Sequence, residues 1–174
     1  MRRRDVRVRI LEAGLILATL AGGAACDRAA PAPESRVKSV VARIDGITCP
    51  TCVPPLEASL KRQYGQSTID VDDDKDTATV QFAEQDQFSA PEFRAAVERV
   101  LRMQVVTLRV QACGTVEASK GDKWLAAGSN RFLVRSDREL PLNEPLCADG
   151  TLDSASDPAV FQVSAFSVQR TENH

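Results

Sequence analysis

Between Val37 and Val110 the spacing of apolar side chains changes repeatedly, and each change marks a new element. Val40, Ala42 and Ile44 alternate with polar neighbours, which predicts a first strand closed by Asp45-Gly46. Val53, Leu56, Leu60 and Tyr64 then fall on one helical stripe, with Gly65 placed to end it. Pro54 and Pro55 fit only in the first turn of that helix, where a missing amide hydrogen costs little, so the helix must begin close to the cysteines of the segment before it. Ile69 and Val71 alternate with Thr68, Asp70 and Asp72, and Ala78, Val80 and Phe82 alternate with Thr77, Thr79 and Gln81. The acidic run Asp72 to Asp76 between them lacks the spacing and closing Glu of a calcium loop, and reads as a solvated hairpin turn. Ser89 with Glu92 is a capping-box signature, Pro91 suits a first turn, and Phe93, Ala96, Val97, Val100 and Leu101 make an apolar face. Val106, Leu108 and Val110 alternate once more.

The resulting order, strand, helix, strand, strand, helix, strand, is that of the ferredoxin-like βαββαβ arrangement, an α+β fold over residues 36–110. From Gln111 the pattern becomes short strands and turns: Gly114–Glu117, Phe132–Arg135 and a final run Phe161–Val168. In that last run the inward parity shifts between Ala165 and Phe166, which suggests a β-bulge. Gly121, Gly128, Asn130, Pro141, Pro145, Gly150 and Pro158 punctuate the rest, and the apolar run Trp124–Ala127 reads as a helical turn or a loop over the core. A small mostly-β domain over residues 111–174, an OB-like barrel or a sandwich, is the expectation. It contains no His base, no nucleophile elbow and no phosphate loop, so nothing in it points to an enzyme.

The first residues have a different character. Arg2, Arg3, Arg4, Arg7 and Arg9 precede an uncharged run from Ala13 to Ala25 that ends at Ala24-Ala25-Cys26, the plan of a secretory signal over residues 1–26. A membrane-spanning helix needs about 20 apolar residues, more than this run supplies. Gly23-Ala24-Ala25-Cys26 also resembles the lipobox of bacterial lipoproteins, which implies lipidation of Cys26 and a membrane anchor. Gly23 stands where lipoboxes usually have Leu, which leaves ordinary signal-peptidase cleavage near Ala25 as the alternative. Residues 27–35 read as a Pro/Ala-rich tether. Removing residues 1–26 leaves 17 basic against 22 acidic side chains, a formal charge of about −5, and no basic patch with interleaved aromatics. Nucleic acid is thereby excluded as an expected partner.

An exported chain changes the meaning of its cysteines. Cys113 and Cys147 stand apart in strand-like settings and suit a structural disulfide in an oxidising compartment, with a second metal or redox pair as the alternative reading. Cys49 and Cys52 are spaced as a pair, one in a loop and one entering a helix, so that both sulfurs can face one ion. A helix N-terminus lowers thiol pKa, and soft sulfur donors select Cu(I), Zn(II) and related ions over Mg or Ca. A two-sulfur, near-linear site suits Cu(I) or Hg(II), whereas structural zinc would ordinarily want four ligands. Met103 either packs beneath this loop as core or offers a soft third donor. His174, the only histidine, stands at the last position and is not an expected ligand.

The segment Gly46-Ile47-Thr48-Cys49-Pro50-Thr51-Cys52-Val53, with Leu56-Glu57 and Leu60 behind it, resembles the heavy-metal-associated family of copper chaperones, heavy-metal ATPase repeats and the periplasmic mercuric-ion-binding protein. The resemblance implies a metal site at Cys49 and Cys52 and a carrier or sink in the cell envelope that exchanges Cu(I), or Hg(II) or Zn(II), with a donor or acceptor protein. Ile47 stands where the family usually has Met, a residue the resemblance assigns to packing beneath the loop. The alternatives are a thiol-disulfide redox protein using the same pair, and a structural lipoprotein whose pair is oxidised and idle.

Overall fold

The computed structural model describes residues 34–47, 50–100 and 102–169. The expected signal segment with Cys26, the residues Thr48, Cys49 and Leu101, and His174 lie outside the described residues. The chain is mixed α/β and is dominated by one eight-stranded sheet, with two α-helices among the described residues.

The first strand, β1 (Arg36–Asp45), buries Val37, Val40, Ala42 and Ile44 and turns Val41 and Arg43 outward. A single 3-10 turn, Pro50–Cys52, runs straight into α1 (Val53–Gln63), with Pro54 and Pro55 both inside the first helical turn. Next come β2 (Thr68–Asp72) and β3 (Thr77–Gln81), a hairpin whose turn is held by Lys75, which donates its amide to the Asp72 carboxylate at 3.1 Å and adds an ion pair to the same group. Then α2 (Ala90–Glu98) leads to β4 (Gln104–Ser119). Ser89 occupies the N-cap of α2, but its side chain makes no capping hydrogen bond; its carbonyl accepts from the Phe93 amide at 2.9 Å.

In the sheet these strands lie in the order β2-β3-β1-β4, each pair antiparallel. The helices pack over the face that carries Val40, Ala42, Ile44, Val80 and Leu108, and their own buried residues, Leu56, Leu60, Phe93, Ala96 and Val97, are at most barely exposed. Tyr64, Phe82, Phe88 and Phe93 form an aromatic chain beneath the helices, with centroids 5.1 to 6.3 Å apart. The two helices are joined by a buried hydrogen bond, Ser59 Oγ donating to the Ala96 carbonyl at 2.5 Å.

The expected boundary after residue 110 falls inside β4, which runs unbroken for 16 residues from the first half of the molecule into the second. It is followed by β5 (Asp122–Ala127), β6 (Asn130–Ser136), β7 (Pro145–Asp153) and β8 (Val160–Val168). Here β4 pairs with β5, β5 with β6, β6 in parallel with β8, β8 with β7, and β7 again with β4. The five strands therefore close on themselves around Val116, Leu125, Phe132, Leu146 and Phe161. The run Trp124–Ala127, read from the sequence as a helical turn or a loop, is instead part of a strand with partners on both edges. The bulge in β8 falls at Ser164, just before the expected place, since Asp149 pairs with Ala165 and Gly150 with Val163.

Candidate functional site

Cys52 is placed by three features of the local chain. β1 ends at Asp45 and the backbone turns at Gly46 with φ +101°, a conformation that side chains disfavour. A Cβ at Gly46 would lie 2.3 Å from the Arg102 carbonyl oxygen, so the start of the cysteine loop rests directly on the turn between α2 and β4. Ile47 then buries its side chain in the core at 3 % exposure, pinning the loop from below. Beyond the loop, the 3-10 turn delivers Cys52 to the N-cap of α1, half-buried and packed against the core.

This position sets the chemistry of the sulfur. Cys52 stands at the N-cap, where the positive end of the helix dipole lies. Pro54 and Pro55 remove two of the four N-terminal amides that a helix usually leaves free, so the helix acts on the sulfur more through its field than through direct hydrogen bonds. Cys52 is disulfide-bonded, and its partner lies outside the described residues. Cys113 and Cys147 are bonded to each other and are not that partner.

Met103 follows the turn on which Gly46 rests. Its thioether is buried, at 3 % exposure, yet it lines the same open groove of about 580 Å³ as Cys52. The groove runs between the helices and is bordered also by Pro55, Ala58, Val100, Arg62 and Arg99. Of the residues singled out in the sequence, then, the structure brings Cys52 and Met103 to one groove, while Cys49 and Cys26 lie outside the described residues. Among the described residues no group of three or more His, Cys, Asp or Glu side chains is placed to hold a metal ion.

The two arginines were not legible as site residues. Arg62 stands in the last turn of α1 and Arg99 at the C-cap of α2, where a basic side chain ordinarily just complements the helix dipole. Only the packing of the helices sets them along one groove.

No protein-family model matches the chain, and no characterised protein or solved structure matches it at a significant level.

The Cys113–Cys147 disulfide sits elsewhere, on the outer side of the closed ring of strands. The two residues face each other in register on β4 and β7, with an S–S distance of 2.08 Å. Gln169 covers it: the side-chain amide nitrogen lies 3.2 Å from the Cys147 sulfur and donates to the Glu34 carbonyl at 3.0 Å, while the Glu34 amide donates back to the Gln169 side-chain oxygen at 2.9 Å. This clasp ties the segment before β1 to the residue after β8. No helix among the described residues is long and apolar enough to cross a membrane.

Proposed function

We propose that the protein is an exported soft-metal carrier or sink that exchanges Cu(I), or alternatively Hg(II) or Zn(II), through Cys49 and Cys52. The observation that carries this reading is the placement of Cys52 at the opening of α1, at the head of a groove it shares with the buried thioether of Met103. The loop before it is anchored at both Gly46 and Ile47, which suits a pair of sulfurs that must meet one ion without reorganising the backbone. The element order and the sheet order β2-β3-β1-β4 support reading residues 36–110 as a ferredoxin-like domain of the heavy-metal-associated kind. The ring of five strands, with its one parallel pair between β6 and β8, supports an OB-like barrel for the remainder. In this reading Cys26 carries a lipid anchor, the protein resides in the cell envelope, and the metal passes to or from a partner protein there.

Titrating the reduced protein with Cu(I) and Zn(II) against a competing chelator, beside a Cys49→Ser/Cys52→Ser variant, tests it. Wild type should hold Cu(I) at least about a hundredfold more tightly than the variant, a difference of roughly 3 kcal/mol. Equal, weak binding by both proteins would end the carrier reading.

A second reading has its own support. Cys52 is disulfide-bonded, the state of a thiol-disulfide redox protein in its oxidised form. A disulfide reductase rate that disappears in the double-serine variant would promote it.

A further inference from the structure

Ser35, near the start of the described residues, lies against the turn between β5 and β6. Its hydroxyl accepts from the Gly128 amide at 3.1 Å and donates to the Ala126 carbonyl at 3.4 Å. Cys26, read above as the lipid anchor, stands eight residues before Glu34, a reach of at most about 28 Å even for fully extended chain. An anchored chain therefore keeps the β5–β6 hairpin close to the bilayer. The outer side of that hairpin is unlike an ordinary wet strand face. Trp124 stands in register with Leu133, and Leu133 in register with Val160 of β8. Together with Ala126 they make an apolar row of half-buried side chains, because Leu125, Ala127, Phe132, Val134 and Phe161 take the inward positions. Arg131 lies over Trp124, its guanidinium carbon 4.8 Å from the ring centroid, and forms no ion pair among the described residues. Arg135 on the same side is paired with Asp122 at 3.2 Å, and Glu117, in register with Trp124 on β4, is exposed.

An indole in an apolar row, with a cation stacked on it, suits a surface that is apolar within and anionic at its edge. Trp has an apolar body and one N–H donor, which fits the boundary between acyl chains and headgroups. Arginine can keep its stem on that apolar surface while its guanidinium takes a phosphate. Of the surfaces such a face could meet, the bilayer is the one that the anchor itself delivers. We propose that the outer face of β5 and β6 lies against phospholipid headgroups, with Trp124 and Leu133 entering the interface and Arg131 on a lipid phosphate. The proposal deepens the envelope reading and rests on it for the anchor at Cys26; it does not depend on metal exchange at Cys49 and Cys52. Glu117 and the Asp122–Arg135 pair limit the attraction to anionic lipid. The face thus orients a chain that is already anchored rather than recruiting a free one.

Trp124 is the only tryptophan, so its emission reports the contact directly. The protein is purified from expressing bacteria as the cells process it, and mass spectrometry of its N-terminal peptide reads whether Cys26 carries lipid. It is then reconstituted on vesicles of mixed phosphatidylcholine and phosphatidylglycerol, with or without bromine on the acyl chains near the headgroups. Brominated lipid should lower Trp124 emission at least about twofold, as for an indole seated at the acyl boundary. An Arg131→Glu/Leu133→Asp variant that keeps the wild-type circular dichroism should stay on the vesicles through its anchor and lose that quenching. Lipidated wild type whose emission is the same with and without bromine would overturn the proposal and leave the anchor standing, a result that needs no variant. Equal quenching of wild type and folded variant would overturn it too, since contact would then not depend on this face. Cys26 without lipid would remove the anchor reading and this inference with it.

Discussion

The two halves of the molecule solve the same problem, burying one face of a sheet, in opposite ways. In the first half α1 and α2 cover one side of β2-β3-β1-β4, and the other side is left uncovered by helices, with Ser39, Val41, Arg43, Thr79 and Arg109 among its residues. In the second half the sheet covers itself by closing, so its inward side chains meet across a ring. The consequence is chemical. Helices laid on a sheet leave ends, loops and a groove between them, and Cys52, Met103, Arg62 and Arg99 collect there. A closed ring of this size is filled by Val116, Leu125, Phe132, Leu146 and Phe161, and its strongest tie is a disulfide on the outside.

Breaking that disulfide is the largest perturbation the comparison suggests. A Cys113→Ala/Cys147→Ala variant opens a loop of sequence separation 34, for which the chain-entropy model predicts a loss of about 4 kcal/mol. Because β4 belongs to both halves, the loss should be felt by both. Fluorescence of Trp124, the only tryptophan and a residue of β5, and the helical circular dichroism of the other half should move together on denaturation. A ring that melts while the helices persist would show instead that the halves unfold independently.

Gly46→Ala acts on the other side of the comparison. The added Cβ would press on the Arg102 carbonyl in a backbone conformation that alanine disfavours, costing roughly 1–3 kcal/mol. If the protein is the Cu(I) carrier proposed above, its sharper effect should be on Cu(I) affinity, since the start of the cysteine loop would be pushed off the turn that leads to Met103. If affinity is unchanged while thermal stability falls, loop position does not govern the site.

The smallest effect is confined to alkaline solution. Burial, reinforced by the nearby Glu92 carboxylate, pushes the Tyr64 phenol well above its ordinary value of 10.0. The neutral phenol is thus favoured in the folded chain. Its contribution is complete below pH 10 and declines as the pH rises beyond that, when the unfolded chain can ionise and the folded one resists. Melting temperatures of wild type and Tyr64→Phe should run parallel up to pH 10 and then converge or cross as wild type weakens; curves parallel throughout would mean that the phenol is solvated.

The same contrast explains what the sequence reveals. In the first half each strand has one wet face, so Val40, Ala42 and Ile44 alternate visibly, and the helix starts are marked by Pro54, Pro55 and Pro91. In the ring the outward face is itself partly apolar: Trp124 lies outside β5 under Arg131, whose guanidinium carbon is 4.8 Å from the ring centroid, so Trp124–Ala127 shows no alternation although Leu125 and Ala127 point inward. Gly150 misleads for another reason. It sits within β7 because a Cβ there would meet the Gln162 carbonyl at 2.2 Å, a tertiary close approach that sequence alone shows only as a break. For the site, the cysteine spacing and Met103 are visible locally, whereas the placing of Arg62 and Arg99 along one groove depends on how two helices pack.

The clasp between Glu34 and Gln169 has a mechanical meaning when set beside the direction of β1. The strand starts at Arg36, next to the clasp, and ends at Asp45, where the cysteine loop begins. Ten residues of extended chain hold those points about 30 Å apart. Whatever grips the chain upstream of Glu34 therefore grips it at the far end from Cys52. The first strand works as a spacer, fixing by its length the distance between the clasp and the start of the cysteine loop.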